Sequence, residues 1–134
     1  MNIGIVRSIF NEEITERMEK AAVKRAKELQ HEVTHILRVP GSFDMPVAVQ
    51  HLLEKSDVDG VATVGCIIQG STDHDVVIAT TTSQALVDLS LKYKKPVGLG
   101  VTGPRMNRQQ ANNRAEEYAK RSVEAVAKLV EELK

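Results

Sequence analysis

The stretch of residues 65–80, GCIIQGSTDHDVVIAT, decides the fold. It begins at the end of an apolar run typical of a buried strand, turns at residues 70–72 and then enters a predicted helix whose first turn holds Asp73 and His74. A strand that stops at Gly-Ser-Thr before a helix directs free backbone N–H groups, two hydroxyls and the positive end of a helix dipole at one point. The stretch therefore predicts an anion site with a histidine beside it.

Strands and helices alternate along the whole chain around this stretch. Strands are predicted at residues 1–6, 31–39, 58–66 and 97–101, and helices at 12 to about 30, 42 to about 55, 73 to 91 and 108 to 133. Because the connections are too long for hairpins, the pattern favours a parallel four-stranded sheet with helices on both faces. The sequence thus predicts a single α/β domain over residues 1–134, with three αβα layers.

Four loops are expected at one edge of this sheet, at residues 8–11, 40–44, 70–74 and 102–107. Ligands of such sheets bind beyond the carboxyl ends of the strands, and this is the edge that these loops form. Residues with useful chemistry fall almost wholly within them. The sequence therefore predicts a single site assembled from several loops.

Composition argues against several classes of function. Eighteen Lys and Arg balance eighteen Asp and Glu, so nothing draws the chain to nucleic acid or to anionic lipid. Two Phe, two Tyr and no Trp do not provide a platform for stacking bases. No apolar run reaches the length of a membrane span, and MNIGIVRS lacks the form of a signal peptide. The single cysteine, Cys66, cannot form an internal disulfide, which favours a reducing cytoplasm.

His74 is the candidate catalytic residue. It follows the carboxyl end of a predicted strand beside the predicted anion site, where a proton shuttle is useful. The three other histidines are predicted on a strand or a helix surface, with structural or solvated roles. Asp73 or Asp75 could orient the imidazole, or could be favourable acids in a first helical turn. No second His or Cys recurs at ligand spacing, so a metal site is not predicted.

Each of the other candidates has an ordinary structural explanation as well. Strand-to-helix turns use Ser and Thr as caps, and residues 70–72 lack both the Lys of a Walker loop and the spacing of a dinucleotide fingerprint. Phe10 could belong to the core or stack on a heterocycle. Arg114 could be solvated or grip a phosphate. Cys66 is predicted to behave as a small hydrophobic residue and not as a nucleophile.

Four segments, taken in order, resemble the lumazine synthase family of riboflavin biosynthesis. The first two are Phe10-Asn11 and VPGSFDMP at residues 39–46, where the family more often has Glu at the place of Asp44. The third is GCIIQGSTDH at residues 65–74, which matches G-x-x-I-x-G-x-T-x-H. The fourth is NRQQANNRA at residues 107–115, which matches N-x-x-Q-A-x-x-R-A. The resemblance covers nearly the whole chain, and the sequence is most similar to the archaeal branch of the family. It implies the flavodoxin-like fold of that family.

The resemblance implies a transferase that condenses 5-amino-6-(D-ribitylamino)uracil with 3,4-dihydroxy-2-butanone 4-phosphate without a cofactor or metal. It implies that His74 shuttles protons. The residues implied for the pyrimidine and its ribityl chain are Phe10, Asn11, Ser42, Phe43, Asp44, Cys66, Ile67, Ile68 and Leu99. Those implied for the phosphate are Gly70, Ser71, Thr72 and Arg114, the last reaching in from a neighbouring subunit. The family's pentamers, in many members packed into sixty-subunit shells, imply a homo-oligomer with sites between subunits.

Some family residues are replaced in this sequence. The usual carboxylate two residues after the histidine is Val76, the aromatic residue of the fourth strand is Leu99, and a lysine of the last helix falls on Ser122. Two alternative functions also fit the sequence. One is the paralogous archaeal riboflavin synthase, which shares the fold, and the other is a flavodoxin-like module that holds a phosphorylated ligand without turnover.

Overall fold

The computed structural model describes residues 1–134 and consists of strands and helices in alternation. The elements are β1 (Asn2–Ser8), α1 (Glu12–Glu28), β2 (Glu32–Val39), a 3-10 turn (Ser42–Asp44), α2 (Met45–Leu53), β3 (Gly60–Cys66), α3 (His74–Tyr93), β4 (Val97–Gly98), β5 (Val101–Thr102) and α4 (Arg108–Glu132). All paired strands are parallel, in the order β2-β1-β3-β4, and β5 also pairs with β3. The predicted α/β fold is confirmed.

Helices cover both faces of this sheet. On one face α1 and α4 pack over Ile3, Ile5 and Val64, and on the other α2 and α3 pack over Val6 and Val61. Successive side chains of a strand point to opposite faces, so a strand buried on both sides is apolar without alternation. This explains the continuous apolar runs in the sequence. None of the helices has both the length and the apolar character that crossing a membrane requires.

The predicted fourth strand is wrong in one respect, because it is divided into β4 and β5 and the sheet has five strands instead of four. Thr63 Oγ1 donates to the carbonyl of Gly98 at 2.6 Å and accepts from the N–H of Gly100 at 3.3 Å, so a side chain replaces the ladder here. A Cβ on Gly98 would lie 2.2 Å from the carbonyl oxygen of Ser122. The close packing of α4 thus requires glycine, and Leu99 between the two short strands is left 51 % exposed.

Two helix starts use asparagine in different ways. Asn107 caps α4 by accepting from the N–H of Gln110 at 2.8 Å, and the Gln110 side chain accepts from the N–H of Asn107 at 3.0 Å. Asn11 occupies the N-cap position of α1, but its side chain makes no capping hydrogen bond. Its backbone is left-handed, with φ 60°, and its side chain reaches other elements. Val47 on α2 is 70 % exposed although it is apolar.

Candidate active site

A cavity of about 540 Å³ opens where β1, β2 and β3 end. This volume lies within the range of small-molecule sites. Its lining comes from three of the four predicted loops, from the end of β3 with the two residues after it, and from the start of α3. It consists of Phe10, Gly41, Ser42, Phe43, Cys66, Ile67, Ile68, Gly70, Ser71, Thr72, His74, Asp75 and Ile78. Because the carboxyl ends of parallel strands meet at one edge, loops distant in sequence come together here.

One end of the cavity, residues 70–74, is called the anion end below. The backbone N–H groups of residues 70–73 form no hydrogen bond within the chain. A Cβ on Gly70 would meet no atom within 4 Å, so a ligand could approach the backbone closely. The turn leads directly into α3, whose N-terminus is the positive end of the helix dipole. The anion end thus presents unused donors and a favourable potential to a negative group.

His74 is exposed at the anion end and lines the cavity. Its backbone N–H donates to Thr72 Oγ1 at 3.3 Å, whereas its imidazole has no hydrogen-bond partner in the chain. Neither Asp73 nor Asp75 is hydrogen-bonded to the ring in the free chain. An imidazole without partners can exchange protons with a bound molecule.

The part of the cavity lined by Phe10 and Phe43 is called the aromatic end; Asn11, the neighbour of Phe10 in the chain, lies outside the lining. Phe10 is 70 % and Phe43 59 % exposed, and both line the cavity. Asn11 next to Phe10 donates from Nδ2 to the carbonyl of Cys66 at 3.0 Å and accepts at Oδ1 from Arg108 Nη2 at 3.1 Å. The left-handed backbone that Asn11 adopts is one that Asn tolerates better than most residues. Asn11 thus fastens the loop that carries Phe10.

The floor between the two ends is the chain that leaves β3. The N–H of Ile67 donates to the carbonyl of Thr102 at 3.1 Å, while the N–H of Ile68 has no partner in the chain. Burial raises the pKa of the Cys66 thiol above its ordinary value, because it disfavours the charged thiolate. The thiol is therefore protonated at neutral pH, as expected for a residue that packs and does not attack a substrate.

The structure brings most of the predicted site residues to this one cavity and leaves four outside its lining. Those outside are Asn11, Asp44, Leu99 and Arg114. Asp44 accepts at Oδ2 from the N–H of Gly41 at 3.0 Å, and Leu99 and Arg114 are exposed elsewhere on the surface. No three His, Cys, Asp or Glu side chains of the chain are grouped so that they could hold a metal ion.

Three residues of the lining, Gly41, Asp75 and Ile78, were not among the predicted substrate-binding residues, although Asp75 was considered as a partner of His74. Ile78 lies one helical turn after His74, and residues four apart on a helix share a face. That spacing could have predicted it. Nothing local distinguishes Asp75 from an exposed first-turn acid.

The family model described as 6,7-dimethyl-8-ribityllumazine synthase matches residues 1–134. The chain belongs to the lumazine synthase family. The family prediction is thereby confirmed, and so is the prediction of an enzyme, a transferase of riboflavin biosynthesis.

Individual members of the lumazine synthase family are similar over nearly their full length. A 6,7-dimethyl-8-ribityllumazine synthase of Staphylothermus marinus is 48 % identical over 128 residues, which are 96 % of this chain and 85 % of that one. The enzyme of the same name from Methanocaldococcus jannaschii is 48 % identical over 134 residues, 100 % of this chain and 94 % of its own. The enzyme of the same name from Methanococcus maripaludis is 46 % identical over 134 residues, which are 100 % of this chain and 97 % of that one. These relatives are archaeal, as the resemblance predicted.

Proposed function

We propose that this chain condenses 5-amino-6-(D-ribitylamino)uracil with 3,4-dihydroxy-2-butanone 4-phosphate to 6,7-dimethyl-8-ribityllumazine and releases phosphate. The observation that supports this most is the cavity, which has two chemically different ends. The aromatic end suits a planar heterocycle, and the anion end suits a phosphate ester. A flat ring and a phosphate are what the two substrates of this reaction bring.

At the anion end, Gly70, Ser71 and Thr72 bind the phosphate through their N–H groups and two hydroxyls. Support comes from the absence of competing partners for these N–H groups within the chain. Arg114 is exposed on α4 and lies outside the cavity of its own chain, so we assign it to the cavity of a second copy. Its guanidinium would grip the phosphate by two parallel hydrogen bonds.

At the aromatic end, the ring of Phe10 stacks on the pyrimidine. The unpaired N–H of Ile68 offers a hydrogen-bond donor to a ring carbonyl, and Ser42 and Phe43 adjoin the ribityl chain. Asn11 and Asp44 are kept as pyrimidine and ribityl residues, although their side chains are bonded to other protein groups in the free chain. Binding through them therefore requires that one of these hydrogen bonds is exchanged or shared. Leu99 would close the pocket of a neighbouring subunit, since it is exposed away from its own cavity.

His74 moves the protons of the reaction. The 5-amino group adds to the ketone of the phosphorylated substrate and water leaves, giving an imine. A carbon-bound proton is then removed, the phosphate leaves, and the ribityl-bearing nitrogen closes the second ring with loss of another water. The amine is already nucleophilic, so placing the substrates and relaying protons supply most of the acceleration.

We further propose a homo-oligomer, a pentamer that can assemble into a shell, with active sites between adjacent subunits. Exposed apolar side chains support association, because several large ones remain uncovered in the single chain: Val47, Val77, Val87, Leu91, Leu99 and Leu133. A cytoplasmic location is proposed as well, since the only cysteine is a free, buried thiol.

The test is to incubate the purified protein with both substrates and to record lumazine fluorescence and phosphate release together. We expect both signals at once. Riboflavin formed from lumazine alone would replace the proposal with the riboflavin synthase reaction. Ligand binding without phosphate release would replace it with a non-catalytic binding module. Light scattering measures the mass of the assembly in the same preparation.

Arg114→Ala tests the assignment across the subunit boundary. We expect the KM for the phosphorylated substrate to rise by about tenfold or more, because a charged hydrogen bond is lost. Arg121→Ala is the matched control, an exposed arginine on the same helix that pairs with Glu117. An unchanged KM in Arg114→Ala would assign Arg114 to the solvated surface.

A further inference from the structure

Asp75 is a buried carboxylate in the first turn of α3. It is 3 % exposed, whereas its neighbours Asp73 and His74 are exposed. Carboxylates are rarely buried without good reason, because their transfer from water is costly. A favourable position near a helix N-terminus does not require burial. Asp75 therefore needs an explanation beyond helix formation.

One oxygen of Asp75 joins the start of α3 to the loop at residues 103–107. Oδ2 accepts a hydrogen bond from the backbone N–H of Arg105 at 2.8 Å, and Arg105 has a left-handed backbone with φ 61°. The neighbouring carbonyl of Met106 accepts from the N–H of Gln69 at 2.7 Å. The loop at residues 103–107 is thus bonded to the residue just before the anion end and to the helix just after it.

The anion end has little support of its own. Its only internal hydrogen bond runs from the N–H of His74 to Thr72 Oγ1 at 3.3 Å, and no atom lies within 4 Å of a Cβ placed on Gly70. The position of the turn is therefore set at its flanks. On one side is the hydrogen bond of Gln69 to the loop at residues 103–107. On the other are the helical hydrogen bonds to the carbonyl of Asp73 and, as the only bond from there to another loop, that of Asp75.

The second oxygen of Asp75 is buried with no donor at all. An unpaired buried oxygen destabilises the free chain. If the hydrogen bond to Arg105 served stability alone, a side chain that has no second, unpaired oxygen would serve better. Asp75 also lines the cavity together with Gly70, Ser71 and Thr72, the residues proposed to bind phosphate. Its burial is thus connected with the site.

We propose that Asp75 is a positioning residue of this enzyme. Its carboxylate holds the start of α3 against the loop at residues 103–107 and thereby places Ser71, Thr72 and His74 around the phosphate. This inference rests on the proposed function. Asp75 acts through geometry and does not touch the substrate; a displacement of about 1 Å at a reacting group can cost up to about a hundredfold in rate.

The experiment compares three variants with the wild type. Asp75→Ala removes the acceptor, whereas Asp75→Asn keeps it, because an amide oxygen can still accept from the N–H of Arg105. Asp88→Ala is the control, an exposed carboxylate farther along α3 whose side chain bonds only to Gln84. For each protein we would measure kcat, the KM of each substrate and the thermal unfolding midpoint.

We expect Asp75→Ala to raise the KM of the phosphorylated substrate about tenfold and to lower kcat, with the KM of the pyrimidine changed by less than about twofold. Asp75→Asn should recover most of both losses, and Asp88→Ala should equal the wild type. Wild-type kinetics in Asp75→Ala would overturn the proposal. Equal losses for both substrates, in proportion to the loss of folded protein, would do so as well, because they indicate a structural role only.

Binding of inorganic phosphate, measured by calorimetry, separates this inference from the proposed function. Weaker phosphate binding by Asp75→Ala than by the wild type supports the positioning role even if no lumazine forms. The lack of lumazine would then reject only the proposed reaction. Equal binding by the two proteins rejects the positioning role and leaves the reaction standing. A wild type that neither binds phosphate nor forms lumazine rejects both.

Discussion

The two ends of the cavity are built in opposite ways. At the anion end, the N–H groups of residues 70–73 and the imidazole of His74 have no partners within the chain. At the aromatic end, both polar groups of the Asn11 side chain are bonded, and the N–H of Phe10 donates to the carbonyl of Pro40 at 3.1 Å. Unpaired polar groups are available to a ligand, whereas paired ones fix the frame around it. Substitution of these polar groups should therefore change activity at the anion end and stability at Asn11.

The largest effect is expected from His74→Ala. Loss of a positioned proton shuttle should lower kcat by about a hundredfold or more, while the free energy of unfolding stays nearly unchanged, because the imidazole has no partner to lose. Steady-state lumazine formation and urea unfolding measure the two quantities. His51→Ala, at an exposed position on α2, is the control. A stable enzyme with undiminished kcat would remove His74 from the mechanism.

At the aromatic end, Asn11→Gly and Asn11→Ala separate the side chain from the backbone. Asn11→Gly should lose about 1 kcal/mol of unfolding free energy with the hydrogen bond to Cys66. Asn11→Ala should lose about 1 kcal/mol more, because alanine is strained where φ is positive. Urea unfolding followed by circular dichroism, at one protein concentration, measures both. If the two variants were equally stable, the left-handed backbone would not be the reason for Asn at this position.

Ser71→Ala provides the matched contrast at the anion end. The KM for the phosphorylated substrate should rise about fivefold, the equivalent of one lost hydrogen bond of about 1 kcal/mol. Its unfolding free energy should stay within about 0.5 kcal/mol of the wild type, because the hydroxyl bonds nothing in the chain. A variant that lost stability and kept its KM would reverse the distinction between the two ends.

The smallest effect is expected for the thiol of Cys66, which lies on the cavity floor and should react only slowly. Because burial raises the pKa of its thiol, the thiolate fraction at neutral pH lies below that of a free cysteine. Alkylation should be slow at pH 7, should accelerate as the pH rises towards and beyond the ordinary value of 9.0, and should be faster in the urea-unfolded chain at every pH. Fast alkylation of the folded protein at pH 7 would contradict the burial of the Cys66 thiol.

Much of the fold follows from patterns that are local in the sequence. The runs at residues 1–6 and 58–66 predict buried strands, and the lengths of the connections exclude hairpins. The interruption at Leu99 could not be predicted in this way, because it depends on Thr63 and on the approach of α4 at Ser122. Thr63 bonds the carbonyl of Gly98 across 35 residues of chain. No property of the segment VGLGV alone distinguishes one strand from two short ones.

The candidate site was predictable to the extent that strand ends meet at one edge. That rule alone groups Phe10, residues 42–43 and the anion end. It could not show that the Asn11 side chain bonds to Cys66 and Arg108 instead of capping its helix, since these partners are far away in sequence. Nor could it show that Arg114 lies outside the cavity of its own chain. Such contacts depend on how the layers pack.

The divided strand at residues 97–102 also bears on how copies of the chain can associate. A sheet grows by adding strands to an edge that offers an unbroken row of N–H and C=O groups. Here that row is interrupted at Leu99, and each of the two short strands holds only two residues. An incoming strand would find almost nothing to pair with, so this margin resists uncontrolled fibre-like stacking. Contacts made on this side must instead be made by side chains, whose shape and chemistry discriminate between partners.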